Sequence, residues 1–141
     1  MNEHIYNNKL IIEAEKKTFE KTDSFLLMKK AAKKCYDYIN KNYSPKKILI
    51  LCGPGNNGGD GAMLANYLLN NNYFVHVHYP LSQPKTQDSK KAYSFIKNKN
   101  VLLQELVLEG YDIVIDSIFG IGLKRKFNED TIKRSELHFK C

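Results

Sequence analysis

Apolar residues recur at helical spacing at Met28, Ala31, Ala32, Cys35 and Ile39. They follow Thr22, Asp23 and Ser24, three residue types that cap helix N-termini. The spacing predicts a helix ended by Asn42 and the Ser44-Pro45 pair. An earlier helix is predicted over Asn8–Glu20, with Leu10, Ile11, Ala14 and Phe19 on its apolar side. The pattern then changes. Lys46–Cys52, KKILILC, is an apolar run without alternation, which predicts a strand buried on both faces. Gly53–Gly61 interrupts it, and Ala62–Asn70 reads as a helix with Met63, Leu64, Tyr67 and Leu68 on its apolar face. Tyr73–Tyr79 reads as a second strand, Pro80–Asp88 as a polar loop and Ser89–Lys97 as a helix. Val101–Leu103 is predicted as a short third strand and Ile113–Ile115 as another, introduced by Tyr111-Asp112 and ended by Asp116. Strands alternating with helices predict an α/β fold with right-handed crossovers and a mainly parallel sheet.

Composition bounds this picture without changing it. A chain of 141 residues suits one domain, and 43% hydrophobic residues with nine Tyr and seven Phe can fill its core. Helices occupy about residues 8–42, the sheet region about 46–128 and a tail about 129–141. The formal net charge of +7 invites a nucleic-acid reading. However, the basic residues are nearly all Lys, in scattered pairs with no aromatic–basic stripe, so a solvated surface is the expectation. Cys35, Cys52 and Cys141 form no C-x-x-C pair and are odd in number, which argues against a disulfide framework or zinc site. No secretory signal and no membrane-spanning stretch is legible, so the expected location is the cytoplasm.

The central motif is Gly53-Pro54-Gly55-Asn56-Asn57-Gly58-Gly59-Asp60-Gly61, between the first strand and a helix. Five glycines in nine residues permit positive φ angles and close backbone approach. A helix N-terminus behind them would point free N–H groups at a polar or anionic ligand. Gly53, Gly55 and Gly58 satisfy G-x-G-x-x-G, but a dinucleotide site also wants an acid about 20 residues on. Tyr79-Pro80-Leu81 stands there instead, with no acid before Asp88. No Gly-Lys-Ser/Thr follows, which excludes a triphosphatase loop, and there is no G-x-S-x-G elbow. Asn56, Asn57 and Asp60 add directed hydrogen bonds or cation ligands that a plain turn does not need.

Asp116 ends its strand and is followed by Ser117-Ile118-Phe119 and Gly120-Ile121-Gly122-Leu123-Lys124-Arg125-Lys126. Strand C-terminal ends share one edge of a parallel sheet, so Asp116 and the glycine motif are expected to open into one crevice. A carboxylate there can bind a cation or exchange a proton with a substrate. Gly120 and Gly122 would let the backbone approach a ligand, and Lys124, Arg125 and Lys126 could meet phosphates.

These two stretches, GPGNNGGDG and DSIFGIGLKR, resemble the two signatures of the NAD(P)H-hydrate epimerase family, the YjeF N-terminal domain. Phe25-Leu26-Leu27-Met28 with Ala31-Ala32 resembles its N-terminal helix, and the likeness runs from residue 8 to about 128. The resemblance implies a Rossmann-like three-layer α/β/α sandwich, usually dimeric. It implies epimerisation of the C6 hydrate of NADH or NADPH from the R to the S form. A partner ADP- or ATP-dependent dehydratase then repairs the S form, and a potassium ion is bound. By position, Asn56, Asn57, Gly58, Gly59 and Asp60, with Gly120, Ile121, Gly122, Leu123, Lys124, Arg125 and Lys126, would contact the hydrated nucleotide. Asn57 and Asp116 would ligate potassium, and Asp116 is the candidate for proton transfer. A non-catalytic binding or scaffold module on the same fold, or an inactive remnant, is the alternative.

The chain departs from the family pattern in two places. Lys126 stands where Pro is common, and the strand ending in Asp-x-Pro-Ser-Gly does not occur before Cys141. The expectation is a sheet incomplete at its C-terminal end, with Ile113–Ile115 left as an unpaired edge, low stability and little activity.

Overall fold

Asp23 opens the first helix, its carboxylate accepting the Phe25 N–H at 2.9 Å. Helix α1 runs Ser24–Asn42 and buries Phe25, Met28, Ala32, Tyr36 and Ile39 along one stripe. Strand β1 (Lys47–Cys52), helix α2 (Asn56–Asn70), strand β2 (Phe74–His78) and helix α3 (Gln87–Ser94) follow. Strands β3 (Leu102–Leu103), β4 (Ile113–Ser117) and β5 (Leu137–Lys140) complete the order. This computed structural model describes residues 23–119 and the backbone of 137–140. The helix predicted over Asn8–Glu20 and the segment Gly120–Lys126 lie outside the described residues.

The five strands form one sheet in the order β3-β2-β1-β4-β5. Every pairing is parallel, as the alternating strand–helix pattern predicts. Residues Ile48–Cys52 are at most 3% exposed, and the pleat divides them between two cores. Ile48, Ile50 and Cys52 join Val75, Val77, Ile113 and Ile115 under α1, α2 and α3. Leu49 and Leu51 join Tyr111, Val114 and Ile118 on the opposite face. Burying each such branched side chain is worth about 1.5–3 kcal/mol, which is why the non-alternating run settles at the centre of the sheet. Asp112 aligns the two central strands. Its carboxylate accepts the N–H groups of Lys46 and Lys47 at 2.7 and 3.0 Å, and its own N–H donates to the Lys47 carbonyl at 2.8 Å.

One expectation is corrected. Strand β4 is not an unpaired edge, because Ile113 pairs with Leu137 and Ile115 with Phe139. Parallel pairing uses backbone groups, so a short segment unlike the family's own strand can still satisfy that edge. Cys52 is free and buried at the end of β1.

Candidate functional site at the sheet switch point

Chain connections leave β1 toward β2 and leave β4 toward β5, so the strand order reverses between β1 and β4. A crevice opens at the carboxyl ends of strands at such a point, and ligands of doubly wound folds bind there. The ends in question are Cys52 and Ser117, which are register partners. The Gly53 N–H donates to the Ser117 carbonyl at 3.0 Å. The buried Ser117 hydroxyl donates to the Asn57 carbonyl. These bonds bring the glycine motif and the end of β4 together on one sheet edge.

The motif itself differs from the predicted loop. Helix α2 starts at Asn56, six residues before the predicted Ala62, so Asn56–Gly61 forms its first turns. Gly55 is the N-cap and contributes no side-chain bond to the first-turn N–H groups, which lie at the positive end of the helix. Glycine is among the poorest helix formers, costing about 1 kcal/mol relative to Ala. Tertiary packing decides otherwise here. A Cβ on Gly58 would collide with the Gly53 carbonyl, and one on Gly53 with the Ile118 carbonyl. The need is for close approach rather than unusual dihedrals. Among the described glycines the positive φ belongs to Gly110, at 85°, and not to the motif.

The polar side chains occupy distinct environments. Asn56 is exposed, and its Oδ1 accepts the Thr86 hydroxyl at 2.6 Å. Asn57 is half-buried beside Ser117. Gly58 and Gly59 are buried in the helix start. Asp116 is 7% exposed, and its Oδ1 accepts the Ile118 N–H at 3.1 Å. That single short-range bond leaves most of the carboxylate's acceptor capacity unused by it. Asp60 is half-buried, and desolvation pushes its pKa up from 3.8 to about 6. The folded chain therefore holds the Asp60 proton more tightly than the unfolded chain does. Stability is lost as pH rises from about 4 through 6, and the ionised group is a net cost at pH 7. Asp60→Asn is expected to stabilise the protein at pH 7 by about 1 kcal/mol, allowing for solvent screening, with no gain at pH 4. Thermal melts at the two pH values check this, and equal shifts at both would refute it.

Several residues of the site are invisible to motif reasoning. Segment 85–89, which leads into the first turn of α3, is hydrogen-bonded onto the start of the glycine motif. The Lys85 N–H donates to the Pro54 carbonyl at 2.8 Å, and the Ser89 hydroxyl reaches the same carbonyl at 3.2 Å. Thr86 caps α3 through its bond from the Ser89 N–H at 3.1 Å. The Tyr79 hydroxyl is buried beside the Cys52 thiol, just past the end of β2. Burial pushes both groups above their ordinary titration ranges, so neither ionises near neutral pH.

The family model described as YjeF-related protein N-terminus matches residues 24–135. The chain is similar to the bifunctional NAD(P)H-hydrate repair enzyme Nnr of Dictyoglomus turgidum, 38% identical over 117 residues, covering 77% of this chain and 23% of that protein. It is similar to the NAD(P)H-hydrate epimerase of Dictyostelium discoideum, 34% identical over 148 residues, covering 97% and 60% of the two chains. It also resembles the NAD(P)H-hydrate epimerase of Aedes aegypti, 33% identical over 114 residues, covering 73% and 49%. The chain thus spans between 23% and 60% of the length of these relatives. Among solved structures, the crystal structure of yeast ynu0 superposes with a TM-score of 0.69 at 22% identity, covering 94% of this chain and 66% of that one. At that identity the superposition shows the shared fold.

Proposed function

The chain belongs to the family described as YjeF-related protein N-terminus, and from that premise we propose that it epimerises the C6 hydrate of NADH or NADPH, converting the R form to the S form. One observation carries the reading. The Gly53–Ser117 and Ser117–Asn57 hydrogen bonds hold the glycine motif against the end of β4 at the switch point, which supports reading the two as parts of one site. Relatives at 33–34% identity bear the name NAD(P)H-hydrate epimerase, which supports the same assignment.

The reaction asks for little beyond binding and proton handling. C6 of the hydrate carries a hydroxyl beside the ring nitrogen, and that centre must open and reclose. Either the hydroxyl leaves with acid assistance, or a base opens the ring to an aldehyde. Asp116 supplies the proton transfer or stabilises the developing cation, with one oxygen fixed by the Ile118 N–H. The first-turn N–H groups of α2, with Asn56 and Asp60, bind polar parts of the nucleotide. Gly120–Lys126 contributes further contacts in this reading.

Potassium is part of the proposal. Its donors would be the Asn57 amide oxygen and the Asp116 carboxylate, hard oxygen ligands on one sheet edge, held in register by Ser117. The ion would add positive charge near the reacting centre. A homodimer and a separate or fused dehydratase acting on the S form complete the reading. Among the described residues no helix is long and apolar enough to cross a membrane.

The test is chiral chromatography of separated R and S hydrates incubated with the purified chain. Approach to the same mixture from either side is the expected result. No interconversion above the spontaneous rate, with or without potassium, would overturn the proposal.

A further inference from the structure

Thr86 touches the candidate site although no motif includes it. Its hydroxyl has three neighbours, and proton accounting separates their roles. The Ser89 N–H donates to Thr86 Oγ1 at 3.1 Å, which is the capping bond of α3. The Ser89 hydroxyl, 2.8 Å away, has acceptors of its own in the Pro54 and Thr86 carbonyls, at 3.2 and 3.0 Å. The single Thr86 proton is then free for its shortest contact, Asn56 Oδ1 at 2.6 Å. The platform beneath is fixed, because the Pro54 carbonyl takes the Lys85 N–H at 2.8 Å as well.

An amide whose oxygen is occupied presents its nitrogen on the other side. Helix α3 connects β2 to β3, on the far side of β1 from β4. With Oδ1 held toward α3, the two N–H donors of Asn56 face away from the Thr86 hydroxyl. We propose that Thr86 is a positioning residue of the substrate site, locking the Asn56 amide so that its donors meet an oxygen acceptor of the nucleotide, a phosphate or ribose oxygen. This rests on the epimerase reading for the identity of the ligand, whereas the locking of Asn56 stands on the geometry alone. It gives the β2–α3 connection a part in specificity, since an amide held in the opposite sense would offer an acceptor to an oxygen-rich ligand and repel it.

A helix cap alone would be served as well by aspartate as by threonine. A carboxylate cannot donate to Oδ1, so it would pull the Asn56 nitrogen toward α3 and reverse the amide. The experiment therefore uses Thr86→Ser, Thr86→Asp and Thr86→Val, each in the natural background and with Asn56→Ala, on the full chain. KM and kcat are measured for the R hydrate, and Tm for each variant. Thr86→Ser should match the natural protein. Thr86→Asp should keep its Tm and kcat but raise KM roughly three- to tenfold, the size of one neutral hydrogen bond. With Asn56→Ala present, neither Thr86→Asp nor Thr86→Val should change KM further. An unchanged KM in Thr86→Asp, or an equal rise with Asn56 absent, which would mark a simple charge effect, overturns the proposal. If the natural protein turns over no hydrate, the epimerase reading fails by itself, and the locking is then read by NMR. The Asn56 side-chain amide should be ordered in the natural protein and fall below an order parameter of about 0.6 in Thr86→Val. Equal order in both would sink it.

Discussion

Asp116→Asn is expected to lower kcat/KM for hydrate epimerisation by about 10²–10³-fold, the typical worth of one positioned proton-transfer group. The fold should survive the change. Asp116 is 7% exposed, and its defined protein bond is the one from the Ile118 N–H at 3.1 Å, which an amide oxygen can accept equally well. What is lost is the charge and the ability to carry a proton. Potassium activation should weaken in parallel, because the proposed ligand pair keeps its Asn57 amide and loses its carboxylate. Steady-state kinetics across a potassium titration, with Tm as the structural control, check both effects. A variant with natural turnover and an unshifted potassium dependence would remove Asp116 from the reaction and from the cation site.

The second large effect concerns backbone packing. Gly58→Ala should destabilise the protein by about 3 kcal/mol or more, at the upper end of overpacking costs. The added methyl lands on the Gly53 carbonyl, and Gly53 is itself pressed against Ile118, so neither partner can retreat without opening the β1–β4 pair. A fall in Tm of roughly 10 °C follows for a domain of this size. Gly55→Ala is the internal control, because a Cβ there meets nothing within 4 Å. It should cost about 1 kcal/mol or less, the difference between glycine and alanine at a helix N-cap. Thermal denaturation of the two variants side by side checks this, and similar melting temperatures would show that the motif's glycines are not held by close approach.

Much of the architecture was legible because burial writes itself into simple patterns. The ILIL run announces a strand covered on both faces, and the Asp23 cap with its apolar stripe announces α1. The start of α2 was not legible. Propensity argues against a helix beginning Asn-Asn-Gly-Gly-Asp-Gly, and close packing of its glycines against Gly53, Met28, Cys52 and Ser117 explains it. Thr86 escaped for a related reason. Its bond to Asn56 spans 30 residues and follows no fixed spacing. Strand β5 is four residues long, and its alternation of Leu, His, Phe and Lys is too brief to stand out from a loop. Asp116 was placed at the right sheet edge from strand order alone, because every carboxyl end of a parallel sheet faces the same way.

The bond between Ser117 and Asn57 also bears on how the chain folds. It closes a separation of 60 residues, while β1, α2 and β2 can assemble from near neighbours in the sequence. The loop-closure entropy of the β1–β4 pair must be overcome before either motif meets the other. A half-folded chain can therefore hold β1, β2 and their covering helix without possessing a site at all. Nucleotide hydrate would bind only the chain in which β4 has docked. Ligand should accordingly slow the undocking of β4 and protect its amides from hydrogen exchange, while leaving the rate at which β4 first docks unchanged.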